Sequence, residues 1–206
     1  MDPLSQGAES LVLFSASSDR EIRRWHVSVA SAYQLPESVE APILAHETSV
    51  YALRFDSEGD LWTASADKSA RHLVRNRGWA VDTVLEHPDF VRDVVVAEKA
   101  GVVVTACRDE EVRVWDVSSG ECVCVYSGHF EEVTGLCVVD GGRKVVSVGI
   151  DGTVRRWGLA KGDFDRYVEE VEREKKGVSE EAKVEKKDTQ LTAEEEAELA
   201  ELMEDD

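Results

Sequence analysis

The sequence predicts an all-β protein built from repeated small antiparallel sheets, and three observations support this fold class. A histidine and an aspartate recur in pairs, 21 or 22 positions apart, and successive aspartates are separated by 48, 42 and 42 residues. Short β-prone runs bounded by turn residues lie between these markers. A period near 40 residues is typical of repeat proteins in which each unit buries its apolar face against the next. The pairs are His46/Asp67, His87/Asp109 and His129/Asp151, and Asp19 opens a fourth copy that has no histidine.

One unit is complete in residues 121–157. It contains four β-prone runs, Cys122–Tyr126, Val133–Val139, Lys144–Val148 and Val154–Trp157. The Asp151-Gly152 pair before the last run is the strongest hairpin signal in the chain. The runs are almost continuously apolar, which indicates strands that are covered on both faces. We therefore expect each period to form a four-stranded sheet, and radial stacking of such sheets gives the blades of a propeller.

Four polar positions recur within this apolar frame. A hydroxyl lies four positions before each turn aspartate, and a tryptophan or Leu73 lies six positions after it. Because a buried polar group without a partner is costly, we expect an Asp–His–Ser/Thr–Trp hydrogen-bond tetrad in each blade. The same residue types form hydrolase triads, but a triad occurs once per protein and no G-x-S-x-G motif is present, so we predict no catalytic residues. The hydroxyls are Ser15, Thr63, Thr105 and Ser147, and the tryptophans are Trp25, Trp115 and Trp157.

The pattern resembles the WD-repeat β-propeller family over residues 11 to about 159. The best matches are Gly128-His129 and the run Thr105–Asp116, which ends in the only Trp-Asp pair. Leu73 departs from the pattern because it replaces a tryptophan. The resemblance implies a non-enzymatic protein–protein interaction scaffold in a eukaryotic intracellular complex, in the cytoplasm or the nucleus, with other proteins as its partners.

The repeats amount to about three and a half blades. After an N-terminal segment, residues 1–10, we expect a partial blade over 11–27 and complete repeats over 41–75, 79–117 and 121–159. Propellers close with four to eight blades, so this incomplete ring has three explanations. The favoured one is that the chain is the C-terminal half of a longer protein. The others are ring completion by a second chain and an open arc.

Residues 160–206 are expected to form an acidic helical and disordered tail. They carry 18 acidic and 8 basic side chains. Apolar residues at helical spacing predict a helix near 163–175, and a capping box predicts another near 192–203. The charge-rich segment 172–190 lacks aromatic residues and is expected to be disordered.

Composition excludes several function classes. The net charge of -19 repels nucleic acid and anionic membranes. No apolar stretch is long enough to span a bilayer, and the first residues do not resemble a secretory signal.

We interpret the four cysteines, Cys107, Cys122, Cys124 and Cys137, as reduced core thiols. None has zinc-finger spacing, and neither a metal nor a cofactor is expected.

Candidate partner contacts lie in the turns and at the strand starts that follow each histidine. Two alternative functions stay open, a chaperone-like binder of basic proteins that uses the acidic tail and a substrate adaptor of a ubiquitin ligase. The adaptor role is disfavoured because the family's Trp-Asp-x-Arg signature would require arginine where Ser118 stands. The contact candidates are Ser49, Tyr51, Phe90, Arg92, Arg108, Glu131 and Glu132, with Leu199, Leu202 and Met203 in the last predicted helix.

Overall fold

The computed structural model describes residues 10–188, with side chains over residues 10–176. The chain divides into two compact units, Met1–Ala160 and Lys161–Asp206. The helix expected near 192–203, with Leu199, Leu202 and Met203, lies outside the described residues. No helix in the described part combines the length and the apolar character needed to cross a membrane.

The first unit contains fourteen described strands in four antiparallel sheets, and every strand pairs with its neighbour in sequence within its sheet. A short helix, α1 (Pro36–Glu40), follows the first sheet, and 3-10 turns lie at Arg75–Arg77, Glu98–Ala100 and Asp140–Gly142. The strands are β1 (Ser10–Ala16), β2 (Ile22–Ser28), β3 (Ala32–Gln34), β4 (Val50–Phe55), β5 (Leu61–Ser65), β6 (Ser69–Val74), β7 (Ala80–Glu86), β8 (Val91–Ala97), β9 (Val102–Cys107), β10 (Val112–Asp116), β11 (Cys122–Tyr126), β12 (Val133–Val139), β13 (Lys144–Gly149) and β14 (Val154–Gly158).

The sheets are offset from the sequence period by one strand. Strands β4–β7 and β8–β11 form four-stranded sheets, whereas β1–β3 and β12–β14 form three-stranded sheets. The expectation that the four runs of residues 121–157 form one sheet is wrong, because β11 pairs with β10, with Tyr126 opposite Val112. The reason lies in the hydrogen bonds of the connections. A tight turn, closed by Asp116 N–H donating to the Glu121 carbonyl at 2.9 Å, folds β11 back on β10. The next connection, 127–132, crosses to the last sheet, where the His129 side chain is hydrogen-bonded.

Consecutive sheets pack face to face, with β8 in contact with β4, β5 and β12. Every residue of β5 and of β9 is buried, which fits the prediction of strands covered on both faces. The row of sheets stays open within residues 10–160. The core between the first two sheets includes Phe14, Ile22, Ile43, Leu61 and Leu73, and the core between the second and third includes Trp62, Leu85, Val94, Val103 and Trp115.

A buried carboxylate also joins three of the sheets. Asp93, on β8, accepts a hydrogen bond from Arg54 of β4 at 3.1 Å and one from the backbone N–H of Leu136 on β12 at 2.9 Å. The Asp93 side chain is only 9% exposed. Each hydrogen bond to a charged acceptor of this kind contributes more than a neutral one. Asp93 therefore fixes the inner strands of three sheets relative to one another.

The second unit is a helix in its described part, α2 (Lys161–Asp188). The expectation of disorder over 172–190 is wrong as far as Asp188, because the helix continues through this segment. The segment contains no proline, and one glutamate precedes a lysine by four positions, in the pair Glu172/Lys176 with 3.9 Å between charged atoms. A pair of this kind adds about 0.2–0.5 kcal/mol to helix stability.

Candidate interaction face

The last sheet contains a complete hydrogen-bond tetrad. His129 Nδ1 lies 3.1 Å from Asp151 Oδ2, its Nε2 lies 2.7 Å from Ser147 Oγ, and Trp157 Nε1 donates to the same Oγ at 2.8 Å. The carboxylate can only accept, so Nδ1 carries the proton and Ser147 donates to Nε2. Ser147 is fully buried and its oxygen is already an acceptor. This geometry ties the segment at His129 to β13 and β14 and leaves no access for a substrate carbonyl.

The second sheet contains the same arrangement without its tryptophan. His46 Nδ1 lies 2.9 Å from Asp67 Oδ2, and its Nε2 lies 2.6 Å from Thr63 Oγ1. Leu73 packs in the apolar core, fully buried, where a tryptophan would otherwise donate to Thr63. Burial by itself would raise the pKa of Asp67, but the hydrogen bonds from His46 and Ser69 outweigh it and hold that pKa below its ordinary value.

The third sheet departs from the expected tetrad. His87 Nε2 lies 2.8 Å from Thr105 Oγ1, and Trp115 Nε1 donates to this oxygen at 2.9 Å. The expected pair His87/Asp109 is not formed, because His87 Nδ1 donates to the Leu85 carbonyl at 2.9 Å. Asp109 instead accepts two hydrogen bonds from Arg113, at 2.6 and 3.0 Å. Without a carboxylate partner, burial lowers the pKa of His87 to about 4.

The first sheet has only part of the set. Trp25 Nε1 donates to Ser15 Oγ at 2.8 Å. Asp19, which has no histidine partner in this copy, forms an ion pair with Arg23. This hydrogen bond to Arg23 lowers the pKa of Asp19. The tetrad is thus incomplete in three of the four sheets, and the missing member or contact differs among them.

The tetrads hold a set of turns at one end of the sheets. Asp67 and Asp151 accept hydrogen bonds from the backbone N–H groups of Glu47 and Phe130, which join each turn to the segment before the next innermost strand. We name this end of the sheets the turn end. It consists of residues 46–51, 87–92 and 129–133 and of the turns 66–68, 108–111 and 150–153.

A row of side chains crosses three sheets at the turn end. The Arg92 guanidinium carbon lies 4.3 Å from the centre of the Tyr51 ring. Arg92 Nε also lies 2.6 Å from Glu132 Oε1. Tyr51 is 41% exposed. The structure therefore brings together three of the residues that the sequence indicated as partner contacts, and we name Tyr51, Arg92 and Glu132 the inner row.

Two more arginine–aromatic pairs flank the inner row. Arg108 lies 5.2 Å from the centre of the Phe90 ring, and Arg155 lies 5.7 Å from that of Phe130. The sequence analysis missed Phe130, which is 74% exposed. The sequence feature that could have identified it is an aromatic residue directly after a tetrad histidine. Of the remaining candidates, Glu131 is exposed and Ser49 donates to the Ser18 carbonyl of the first sheet at 3.4 Å.

A separate group of metal-ligating side chains lies at the opposite end of the second sheet, where β4 ends and β5 begins. Asp56, Asp60 and His72 each direct one ligand atom to a common point, with all three atoms within 4.8 Å of one another. The sequence analysis predicted no metal site, because its search relied on cysteine spacing and on the tetrad histidines. Pairing of β5 with β6 brings His72 to the turn that carries the two aspartates.

The cysteines contribute no donor set of this kind. All four thiols are free, and the expectation that all are core thiols is wrong for two of them. Cys122 and Cys137 are exposed, whereas burial raises the pKa of Cys107 to about 12 and that of Cys124 to about 11. Alternate residues of a strand point to opposite faces of the sheet. Cys122 lies on the edge strand β11 and Cys137 lies in the three-stranded last sheet, and both side chains point to an uncovered face.

Stacked three- and four-stranded antiparallel sheets, three of which repeat a buried histidine–hydroxyl contact, are typical of a β-propeller repeat protein, and comparison with known proteins supports this class. A family model described as WD domain, G-beta repeat matches residues 39–72, 79–116 and 120–158, more than half of the chain. The chain belongs to this WD-repeat family. The predicted fold class is thereby confirmed. WD-repeat proteins generally act as protein-interaction scaffolds and bind other proteins.

Individual relatives extend beyond the matched region. An uncharacterized WD repeat-containing protein of Schizosaccharomyces pombe, C126.01c, is 36% identical over 196 residues, which are 94% of this chain and 49% of that protein. The U5 small nuclear ribonucleoprotein 40 kDa protein of Dictyostelium discoideum is 25% identical, over 75% of this chain and 42% of that protein. The crystal structure of the WD40 β-propeller domain of Doa1 matches with a TM-score of 0.58 and 27% identity, over 71% of this chain and 46% of that one. The chain thus spans half or less of the length of these proteins.

Proposed function

We propose that the turn end is a protein-binding surface, and that the chain serves through it as a non-enzymatic scaffold in a eukaryotic intracellular complex. The observation that carries the proposal is the inner row, in which Tyr51, Arg92 and Glu132 join three sheets on an accessible surface. Tyrosine and arginine are the residue types that most often dominate binding energy at protein interfaces. A cytoplasmic or nuclear location is part of the same proposal.

Preorganisation supports this role. The ion pair with Glu132 and the contact with the Tyr51 ring hold the Arg92 guanidinium in one orientation before a partner arrives. Ordering a long side chain at an interface costs about 0.5–1.5 kcal/mol, and this cost is reduced when the side chain is already held. The tetrads beneath the surface fix the backbone of the same segments, so the loops are supported by a rigid frame.

The proposal is tested with the full chain as bait in quantitative affinity capture, followed by titration of each captured protein in purified form. The test variant is Tyr51→Ala/Arg92→Ala. The matched control, Tyr33→Ala/Arg143→Ala, removes an exposed tyrosine and an exposed arginine away from the turn end. Loss of a hot spot costs about 2 kcal/mol or more, so the test variant is expected to bind about 30-fold more weakly or worse.

The control variant is expected to bind like the wild type, and all three proteins should unfold at the same urea concentration. Equal binding by the wild type and the test variant would show that the turn end is not the protein-binding surface. The two narrower functions, the acidic-tail binder and the ubiquitin-ligase adaptor, stay predictions, as does completion of the ring by more chain or by a second molecule. Binding that is lost on deletion of residues 177–206, but not in the test variant, would favour the acidic-tail binder.

A further inference from the structure

The group Asp56, Asp60 and His72 has the geometry of a metal site. His72 Nε2 lies 3.4 Å from Asp56 Oδ2 and 3.9 Å from Asp60 Oδ2. Bonds of about 2.0–2.1 Å from nitrogen and oxygen ligands to a tetrahedral zinc ion place neighbouring ligand atoms about 3.4 Å apart. The first separation fits this value, and the second requires a shift of about half an ångström. The two carboxylate oxygens lie within 4.8 Å of each other, so small shifts of the side chains would bring all three atoms into contact with one ion.

The three ligand atoms are also the ones that the rest of the fold leaves available. Asp56 Oδ1 accepts hydrogen bonds from the backbone N–H groups of Glu58 and Asp60, at 3.0 and 2.9 Å. Asp60 Oδ1 accepts one from the N–H of Arg75 at 2.8 Å. These bonds orient both carboxylates so that each Oδ2 faces His72. Nε2 of His72 is itself inaccessible to solvent and has no hydrogen-bond partner.

An unpaired nitrogen in such a place requires a partner, because burial of a polar atom without one is costly. The carboxylates of Asp56 and Asp60 are each only 14% exposed, so they do not belong to an ordinary solvated acidic surface. Two carboxylates and one imidazole give the group a net negative charge when the imidazole is neutral. A divalent cation would satisfy the nitrogen and offset this charge at once.

The surroundings of His72 resemble the support that metal-binding histidines usually have. Its ring stacks on Trp62, with centroids 4.7 Å apart, which fixes the ring plane. Its other nitrogen, Nδ1, lies 3.8 Å from Asp82 Oδ2 on the neighbouring strand. This distance is too long for a hydrogen bond, but the negative charge of Asp82 favours a proton on Nδ1, which leaves Nε2 free to bind a metal.

We propose that Asp56, Asp60 and His72 bind one divalent transition-metal ion of the zinc class. The imidazole ligand disfavours calcium and magnesium, which prefer oxygen ligands, and favours zinc among the common alternatives. The ion links the turn between β4 and β5 to β6, within a single sheet. The site lies at the other end of this sheet from the turn end, so it is independent of the proposed protein-binding surface.

The test is calorimetric titration of ZnCl2 into the full chain after removal of metal. Cys122→Ser and Cys137→Ser are introduced into every protein, because these exposed thiols would bind zinc themselves. The test variants are Asp56→Asn and Asp60→Asn, in which the amide oxygen retains the backbone hydrogen bonds of Oδ1. The matched control is Asp140→Asn, the same change of charge in the corresponding turn of the last sheet.

The expected result is one zinc ion per chain. The affinity for zinc should be at least about tenfold lower in each test variant, because even supporting residues around a metal change affinity by 10- to 100-fold. It should be unchanged in the control. Zinc should also shift the Nε2 nitrogen resonance of His72 and leave that of His26 in place. Two outcomes would overturn the proposal. One is absence of binding by the parent protein, and the other is equal affinity in the test variants and the control.

Discussion

Replacement of Thr105 by valine removes the central hydrogen-bonding atom of the third sheet. Its hydroxyl donates to His87 Nε2 at 2.8 Å and accepts from Trp115 Nε1 at 2.9 Å, and all three side chains are buried. Valine has nearly the same shape, so the change leaves two buried polar groups unpaired and creates almost no cavity. A buried polar group left without its partner costs about 1–3 kcal/mol. The variant should therefore lose about 2–6 kcal/mol of unfolding free energy.

Thr63 provides an internal comparison because its sheet lacks the tryptophan. Thr63→Val leaves only the Nε2 of His46 unpaired, since Leu73 occupies the tryptophan position. The expected loss is about 1–3 kcal/mol, roughly half of the loss at Thr105. Thr134→Val, at an exposed position of β12, serves as the control and should change stability by less than about 0.5 kcal/mol.

The assay is urea unfolding at pH 7, followed by tryptophan fluorescence, with the dependence on urea compared between variants so that changes in midpoint can be converted to free energy. The reasoning assumes that the two partners of Thr105 act separately. Equal losses for Thr105→Val and Thr63→Val would refute it, because the tryptophan would then contribute nothing through its N–H group.

Two more predictions concern buried ionisable groups. His87 has a folded pKa of about 4 and an ordinary value of 6.5, so the unfolded chain binds the extra proton between these values and stability should fall as the pH drops from 6.5 towards 4. The total loss of unfolding free energy across this window is about 3 kcal/mol. His87→Gln should remove that much of the measured pH dependence of unfolding. An unchanged slope would count against the burial argument. Asp93→Ala should cost about 1–3 kcal/mol, because it leaves the buried N–H of Leu136 unpaired, whereas the Arg54 side chain is 47% exposed and stays hydrated. Hydrogen exchange at the Leu136 amide should accelerate accordingly, and continued full protection would contradict the role of Asp93 between sheets.

The spacing of polar residues predicted a large part of the arrangement at the turn end. His46 lies against Thr63 and Asp67, and His129 lies against Ser147 and Asp151, because the nearly constant spacing places these positions together in both sheets. Spacing could not predict the third sheet. There Arg113 takes both oxygens of Asp109, and this competition between a guanidinium and an imidazole for one carboxylate depends on rotamers that the sequence pattern does not encode.

For a related reason, the sequence pattern could not predict which strands share a sheet. The period marks the interval between equivalent residues, but it does not say with which sheet a strand pairs. That choice depends on the contacts of each connection. The turn between β10 and β11 is closed by its own backbone hydrogen bond, whereas the His129 side chain in the next connection is hydrogen-bonded in the last sheet. Continuation of α2 to Asp188 was likewise not evident from the charge-rich composition of this segment.

The sequence by itself determined the fold class and the identity of the recurring polar positions, because both follow from local periodicity and from the cost of burying polar groups. Only the tertiary structure decided which surface residues meet. Tyr51, Arg92 and Glu132 come from three sheets. Asp56 lies in the turn after β4 and His72 lies on β6, and their contact depends on strand register. Contacts between residues far apart in the chain are set by packing of the whole assembly, and no local pattern carries that information.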